Sequence, residues 1–588
     1  VTIGKTAKMT ELQKDVNIEA KSQNSVITKA EVSTGEKAVV ATAINVTDYD
    51  SKANVNINGN VSSQAGSMSV NAENVLTDNN VSANNAMGSS SFMKGLVTNI
   101  KGSQTVDSLI GQGGAKDQLL GGITKWLANA KYTPQKLKDK LNAPSTPSTP
   151  TQPKPWDKLA DFMSTGVSVG VAVESNTADV KIGQGVALTA KNDLDITAKS
   201  VIEDTQMQIT GMSNNYDQET SNKALVNASV LYSKLDNTAT VTVAGGEEAK
   251  GSANATNVTL TGGKVNIAAN SSFEYNRINR MVQEVKDACA KVKAAYKGEN
   301  NADIKAKADA LSNAADAFFN YAKDNCFSSN GGEQVDFMDL FGGQKFKEFT
   351  AACSALTSAL GSEATDIAVG PINVVSAAAA FANPNSYLNF SAGSANGGKS
   401  GPGEKEKAAT IALAGGAVAT DISNNARVLI GKNAKIKADN ELAMQAASKQ
   451  FDTSLAGKLG LNGGGENAAG GTFAVGLADA NSLVAVAQGA KLTAGSINIG
   501  TENKIDHIQL SIGAGKGATS GVSGMVGYLE GASNSLVSVD DEAVINAGTG
   551  AVNLNAKNDT NVYSAAGAVA MGETAGIGVA ATITNFDR

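Results

Sequence analysis

Few side chains in this 588-residue sequence are of types that carry out chemistry, and their spacing offers little. There is one histidine, His507. Any Ser-His-Asp or Cys-His arrangement would have to be built on it, and a multi-histidine metal site is excluded. Spacing indicates no acid partner for it, so His507 is read as decorating a strand. Gly166-Val-Ser-Val-Gly170 has the form of a nucleophile elbow, a motif that needs a sharp strand-to-helix turn. Here it lies in a run of small alternating residues and is read as a chance match. Gly513-Ala-Gly-Lys-Gly-Ala518 resembles a dinucleotide loop, but no helical pattern follows it. Asp and Glu are scattered, without a Gly-Gly-x-Gly-x-Asp calcium repeat, and Asp179 and Asp421 read as solvated. Three cysteines, Cys289, Cys326 and Cys353, allow one disulfide and one remaining thiol. Buried small apolar groups are the favoured reading. The expectation is therefore a chain that is not an enzyme, with no catalytic, metal-binding or cofactor-binding residues and no cofactor.

The elements that would position any site are unusual in composition. Lys plus Arg number 49 against 56 Asp plus Glu, a net charge of −7, which disfavours nucleic acid as a partner. No run approaches the roughly 18 apolar residues of a transmembrane segment. All nine prolines lie in two stretches. Both tryptophans fall in the first stretch and all three cysteines in the second. The remainder lacks Pro, Trp and Cys and is rich in Gly, Ala, Val, Asn, Ser and Thr. This partition predicts one repetitive scaffold, at 1–91, 166–273 and 407–588, interrupted by insertions at 92–165 and 274–406.

The scaffold repeats itself. Asn425-Ala-Arg-Val-Leu-Ile, Ala-Lys-Ile-Lys-Ala and Leu442-Ala-Met-Gln-Ala-Ala-Ser recur as Asn481-Ser-Leu-Val-Ala-Val, Ala-Lys-Leu-Thr-Ala and Ile497-Asn-Ile-Gly-Thr-Glu-Asn. They recur again from Asn534, and earlier from Asn176. Neighbouring anchors are about 53 to 61 residues apart, and removing the insertions restores this phase across both interruptions. Within each copy apolar residues alternate with polar ones, as in Val552, Leu554 and Ala556, the mark of a strand with one buried face. The predicted fold is all-β: a right-handed parallel β-helix with two mainly α-helical insertions. Each period is expected to hold about three coils of roughly 20 residues, making about 19 coils and a rod on the order of 90 Å long. Stacked asparagines at turns are expected to form amide ladders. The alternative is a series of tandem β-sandwich repeats, disfavoured because such domains usually bury a Trp.

The second insertion carries three amphipathic stripes. They are Val282, Val285, Cys289 and Val292; then Ile304 to Ala322; then Phe346, Phe349, Cys353, Leu356 and Leu360. A small helical bundle is expected. The first insertion has shorter helical patches and a proline-rich run at 144–155 that reads as an extended spacer. Trp126, Tyr132 and Trp156 are its candidate contact patch.

Copies of the form Asn-x-x-Val-x-Val, Ala-x-Leu-x-Ala and (Val/Ile)-x-(Ile/Leu)-x-Ala-x-Asn resemble the passenger regions of large secreted bacterial surface proteins. These are the filamentous-haemagglutinin-like and leukotoxin-type filamentous adhesins of type V, autotransporter-like export. The resemblance covers the scaffold and neither insertion, and carries over no catalytic residue. It implies an extracellular or cell-surface rod, exported by an outer-membrane translocator. Its insertions would touch a host or bacterial cell-surface protein or glycan. The sequence begins at Val1 and is read as a segment of something longer. A carbohydrate-active β-helix enzyme, and a purely structural surface-layer or fibre component, are the alternatives.

Overall fold

Alternating small and β-branched residues favour extended backbone, and in this chain they extend far. The computed structural model describes residues 1–34, 40–87, 163–215, 224–246, 257–295, 302–326, 343–360, 388–398, 409–457 and 463–587. Outside three helices these residues form a single 21-stranded sheet in which the strands pair in parallel. The fold is a parallel β-helix.

One turn of the solenoid, a rung, has three parts. A long outbound strand such as Ala224–Val243 leads to a short cap strand such as Lys491–Thr493. A long return strand such as Val552–Met571 follows. Asn425 lies in register on Asn481, and Asn481 on Asn534. The 53- to 61-residue period is therefore one rung, not three coils. Seven return strands are stacked among the described residues, beginning with Val16–Thr34 and ending with Val552–Met571. At ~4.8 Å per rung the stack is about 34 Å tall, while an 18-residue outbound strand spans about 60 Å. The expected 19 coils and 90 Å rod are corrected to a broad, short stack. Outbound strands of about 20 residues that keep one parity of alternation, such as Ala224–Val243, have no corner at which to close a smaller coil.

The outbound strand ends in a tight turn that recurs up the stack. Gly185, Asn433, Gly489 and Glu542 hold positive φ at equivalent places, and each precedes a small residue: Val186, Ala434, Ala490 and Ala543. At Gly489 an added Cβ would meet Asn433 Oδ1 at 2.2 Å. The end of the outbound strand, the cap strand and the start of the return strand enclose the largest apolar core, with Val180, Leu188 and Ile196 as one rung's contribution. A second core lies between the other halves of the two long strands and includes Ala172, Ile209, Leu231 and Phe390.

Between the two cores runs a polar waist. Ser51, Asn176, Asn237, Asn424, Ala480 and Ser533 stack on the outbound side. Asn74, Ser200, Ser271, Ser448, Asn503 and Asn558 stack opposite, on the return side. Each of these rungs places one Asn at the waist, on one side or the other, against a Ser or Ala. The amides hydrogen-bond along the stack: Asn237 Nδ2 donates to Asn424 Oδ1 at 2.9 Å, and Ser200 Oγ to Asn237 Oδ1 at 2.6 Å. The expected ladder thus exists in mid-strand rather than at turns. Asn176 stacks over Asn424, not Asn425. Asn425, Asn481 and Asn534 form a separate outward ladder with 3.0 and 2.9 Å bonds.

The second insertion contains helices α1 (Arg277–Ala295), α2 (Ala302–Cys326) and α3 (Gln344–Leu360). The predicted stripes meet in one core that includes Val285, Cys289, Leu311, Phe318, Phe349 and Leu356. Residues 390–398, which the sequence reading placed within this insertion, instead form the scaffold strand Phe390–Gly398, paired with Thr205–Asn215. No helix among the described residues is long and apolar enough to cross a membrane. The first insertion, with Trp126, Tyr132 and Trp156, lies outside the described residues.

Candidate functional site

The helical unit leaves the solenoid in mid-rung, and its exit is built from buried charged and aromatic side chains. The return strand reaches Phe273, departs, and resumes at Phe390. The two rings stack inside the solenoid with centroids 6.3 Å apart, holding exit and re-entry together. Outside, Tyr275 packs against Phe451 at 4.9 Å. The first turn of α1 carries Arg277 and Arg280, two of the four arginines in the sequence. Arg277 Nη1 meets Asp204 Oδ2 at 2.6 Å with both side chains buried. Arg280 donates to the Thr77 carbonyl at 2.7 Å and lies 3.6 Å from Asp78. Asn276 Nδ2 donates to the Glu203 carbonyl at 2.8 Å. The neck thus binds α1 to two successive rungs.

Its electrostatics are those of a dry site. Burial holds the Asp204 carboxyl above its usual range, although Arg277 and Arg280 pull it down. Glu284 is raised by burial in the same way. Two guanidinium groups converge on one buried carboxylate oxygen, Arg277 Nη1 at 2.6 Å and Arg280 Nε at 3.7 Å from Asp204 Oδ2, and together with the Thr77 and Glu203 carbonyl contacts they fix α1 at several points. The arrangement can present the three-helix unit at a set angle. Its arginines were not singled out in the sequence; their rarity elsewhere in the chain was the available signal.

The candidate chemical groups are placed as follows. His507 lies on a strand, but it faces inward and is fully buried, with Nδ1 2.5 Å from Asp452 Oδ1. An acid–histidine pair is therefore present where spacing had indicated none. Asp452 and His507 are register partners on adjacent rungs, so the 55-residue offset was the missed signal. Gln450 Nε2 donates to Asp452 Oδ2 at 2.8 Å. Across the lumen stands Gly476, where a Cβ would lie 2.5 Å from Gln509 Oε1 and 3.1 Å from His507 Nε2. Ser168 of the elbow-like motif is elsewhere, donating to the Thr210 carbonyl at 2.8 Å. Gly513 to Ala518 lie within the continuous strand Ser496–Val539. Asp179 and Asp421 face outward, paired with Lys181 at 3.0 Å and Lys234 at 3.2 Å.

Cys289 and Cys353 are buried in the core of the helical unit. Burial pushes the Cys289 thiol up to about 11 and raises that of Cys353 as well, the direction that makes a thiol inert. Glu174 is the other buried acid of note. It points into the lumen beneath Tyr49 and accepts from Asn79 Nδ2. Its Oε1 is buried without a hydrogen-bond partner, and burial raises the carboxyl to about 7. Among the described residues no group of three or more His, Cys, Asp or Glu is arranged to hold a metal ion. In comparisons with known proteins, no family model, no curated protein and no solved structure matches the chain.

Proposed function

We propose that the chain is part of a secreted bacterial surface adhesin, in which the solenoid is a stiff platform and the helical unit is a contact head. The observation that carries this reading is the neck. A loosely tethered insertion would need no buried ion pair, yet Arg277 and Asp204 are both withdrawn from water to join α1 to the rungs. Burying such a pair costs several kcal/mol per ion before the partners repay it. Geometry worth that cost is geometry that something else reads. The repeat style of the scaffold supports the same reading, and the partner would be a cell-surface protein or glycan outside the cell.

The test is binding of the purified chain to cells and to glycan and matrix arrays. It is compared with a variant in which residues 276–387 are replaced by a short link. Binding by the intact chain that falls at least about tenfold in the variant, about 1.4 kcal/mol, supports a contact head. Equal binding by both would remove the head from the proposal, and no binding by either would remove adhesion.

A further inference from the structure

The outer face of the outbound strands is divided in two. Toward the cap it is polar, as one stacked column shows: Lys52, Thr177, Thr238, Asn425, Asn481 and Asn534. Toward the strand starts it is apolar. Val46, Val171, Tyr232, Ala419, Val475, Tyr528 and Ile583 stack in a single outward column. The columns that begin at Val40 and Ile44 repeat the character. The inward residues of these same strands are already packed inside the solenoid, Ala172, Leu231 and Val418 in the second core beside buried polar groups such as Asn45, Ser229 and Thr472, so here the sheet has a buried inner face and an apolar outer one. Parallel sheets of that kind are ordinarily covered on both sides. Tyr232 nevertheless remains 39% exposed and Ile411 44%.

We propose that a second copy of this chain packs on this face. With the column of small residues that lies between those of Val40 and Ile44 and includes Ala228, Gly415, Gly471 and Gly524, four outward columns about 7 Å apart, over seven rungs at ~4.8 Å, make a patch of roughly 900 Å². A standard stable interface buries about 800 Å² on each partner. The ridges repeat at strand spacing in both directions, so an identical sheet laid on top about 10 Å away interdigitates with it. The border charges choose between occupants. The next outward columns carry Asp48, Asp236, Asp421, Asp479 and Glu530, with Lys234 as a lone cation among them. A lipid-facing surface of this shape is bordered by Lys and Arg instead. The acidic border also orients the pair. A two-fold axis parallel to the stacking direction puts the two borders at opposite edges, whereas an axis along the strands would press them together.

Sedimentation velocity of the full chain at tens of micromolar tests this. The expected species has twice the 59.7 kDa chain mass. Val171→Lys with Tyr232→Lys should sediment as monomer with unchanged circular dichroism, while Thr238→Lys on the polar half should remain dimeric. A monomeric wild type overturns the proposal, as does a dimer indifferent to the two lysines. If the lysines prevent folding, Val230→Cys near the axis decides. A short bismaleimide should link it into a dimer absent from wild type, and failure to do so is equally fatal. Monomeric protein that floats with lipid vesicles would give the face to a membrane instead.

Discussion

Glu174 and the Asp452–His507 pair show what the solenoid interior does to single charged residues. The Glu174 carboxyl is raised from 4.5 to about 7 by burial, so the folded state holds a proton that the unfolded chain releases. Its stabilising contribution is fully present below pH 4.5 and is lost as pH rises through 7. The shift corresponds to about 3 kcal/mol. Glu174→Gln should remove this slope, so urea midpoints of wild type should fall between pH 5 and pH 8 relative to those of the variant. Parallel curves would show that Glu174 titrates normally. The Asp452–His507 contact behaves differently. His507→Leu leaves the buried Asp452 side chain with only Gln450 for company and should cost about 1–3 kcal/mol. Adding Asp452→Leu to that variant should recover most of the loss. A double-mutant cycle by chemical denaturation reads this directly, and additive losses would mean that the two side chains do not interact. Neither site was legible residue by residue. Glu174 sits in a run of valines and glycines where only the parity of the alternation shows that it points inward. Asp452 finds His507 only once the period is known to be a single rung.

At the scale of the element, the waist sets the register of the long strands. An apolar strand of alternating Val and Ala can slip by two residues at little cost, because every inward position is alike. One amide per rung removes that freedom, since a slipped Asn would be buried without partners. The side of the waist that carries it is free. Rungs with Asn outbound have Ser on the return strand, and those with Asn74, Asn503 or Asn558 on the return strand have Ser or Ala outbound. Asn237→Ala should therefore cost about 2 kcal/mol through the lost bonds to Asn424 and the Ser272 carbonyl. Asn237→Ser combined with Ser271→Asn should restore most of it. Thermal melts of wild type and the two variants test the exchange; a double variant no better than Asn237→Ala would show that the side matters after all. The sequence made the strands, the repeat and the helical stripes legible because these are local periodicities. The number of coils per period was not legible. Strand ends are marked by turns, and the Gly, Asn and Ser that suggest turns also occupy the waist and the lumen, where they sit inside strands.

For the whole molecule, the consequence of one rung per period is that the helical unit interrupts a single strand rather than a domain boundary. Two other rungs show what passes through the same place without it. In one, Ile202 and Met207, the register partners of Phe273 and Phe390, are joined by four residues, 203–206. In another, Gln450 and Ser454, partners of the same two phenylalanines, are joined by three residues, 451–453. The solenoid therefore already contains two working links for the gap. A chain in which Phe273 is joined to Phe390 by Glu-Asp-Thr-Gln should fold, keep the Phe273–Phe390 stack and preserve its strand signal by circular dichroism. Its loss is confined to the neck, where Asp204 and Asp78 are left without arginines. Because an unpaired buried carboxylate is costly, Asp204→Asn should be needed to bring the melting temperature of the shortened chain near that of wild type. Failure of both shortened chains to fold would mean that the helical unit is structural, holding rungs together rather than being held by them. Solenoid stability is approximately a sum over rungs and their contacts with neighbours. A link copied from one rung should serve another, and this deletion tests that additivity where the helical unit interrupts a rung.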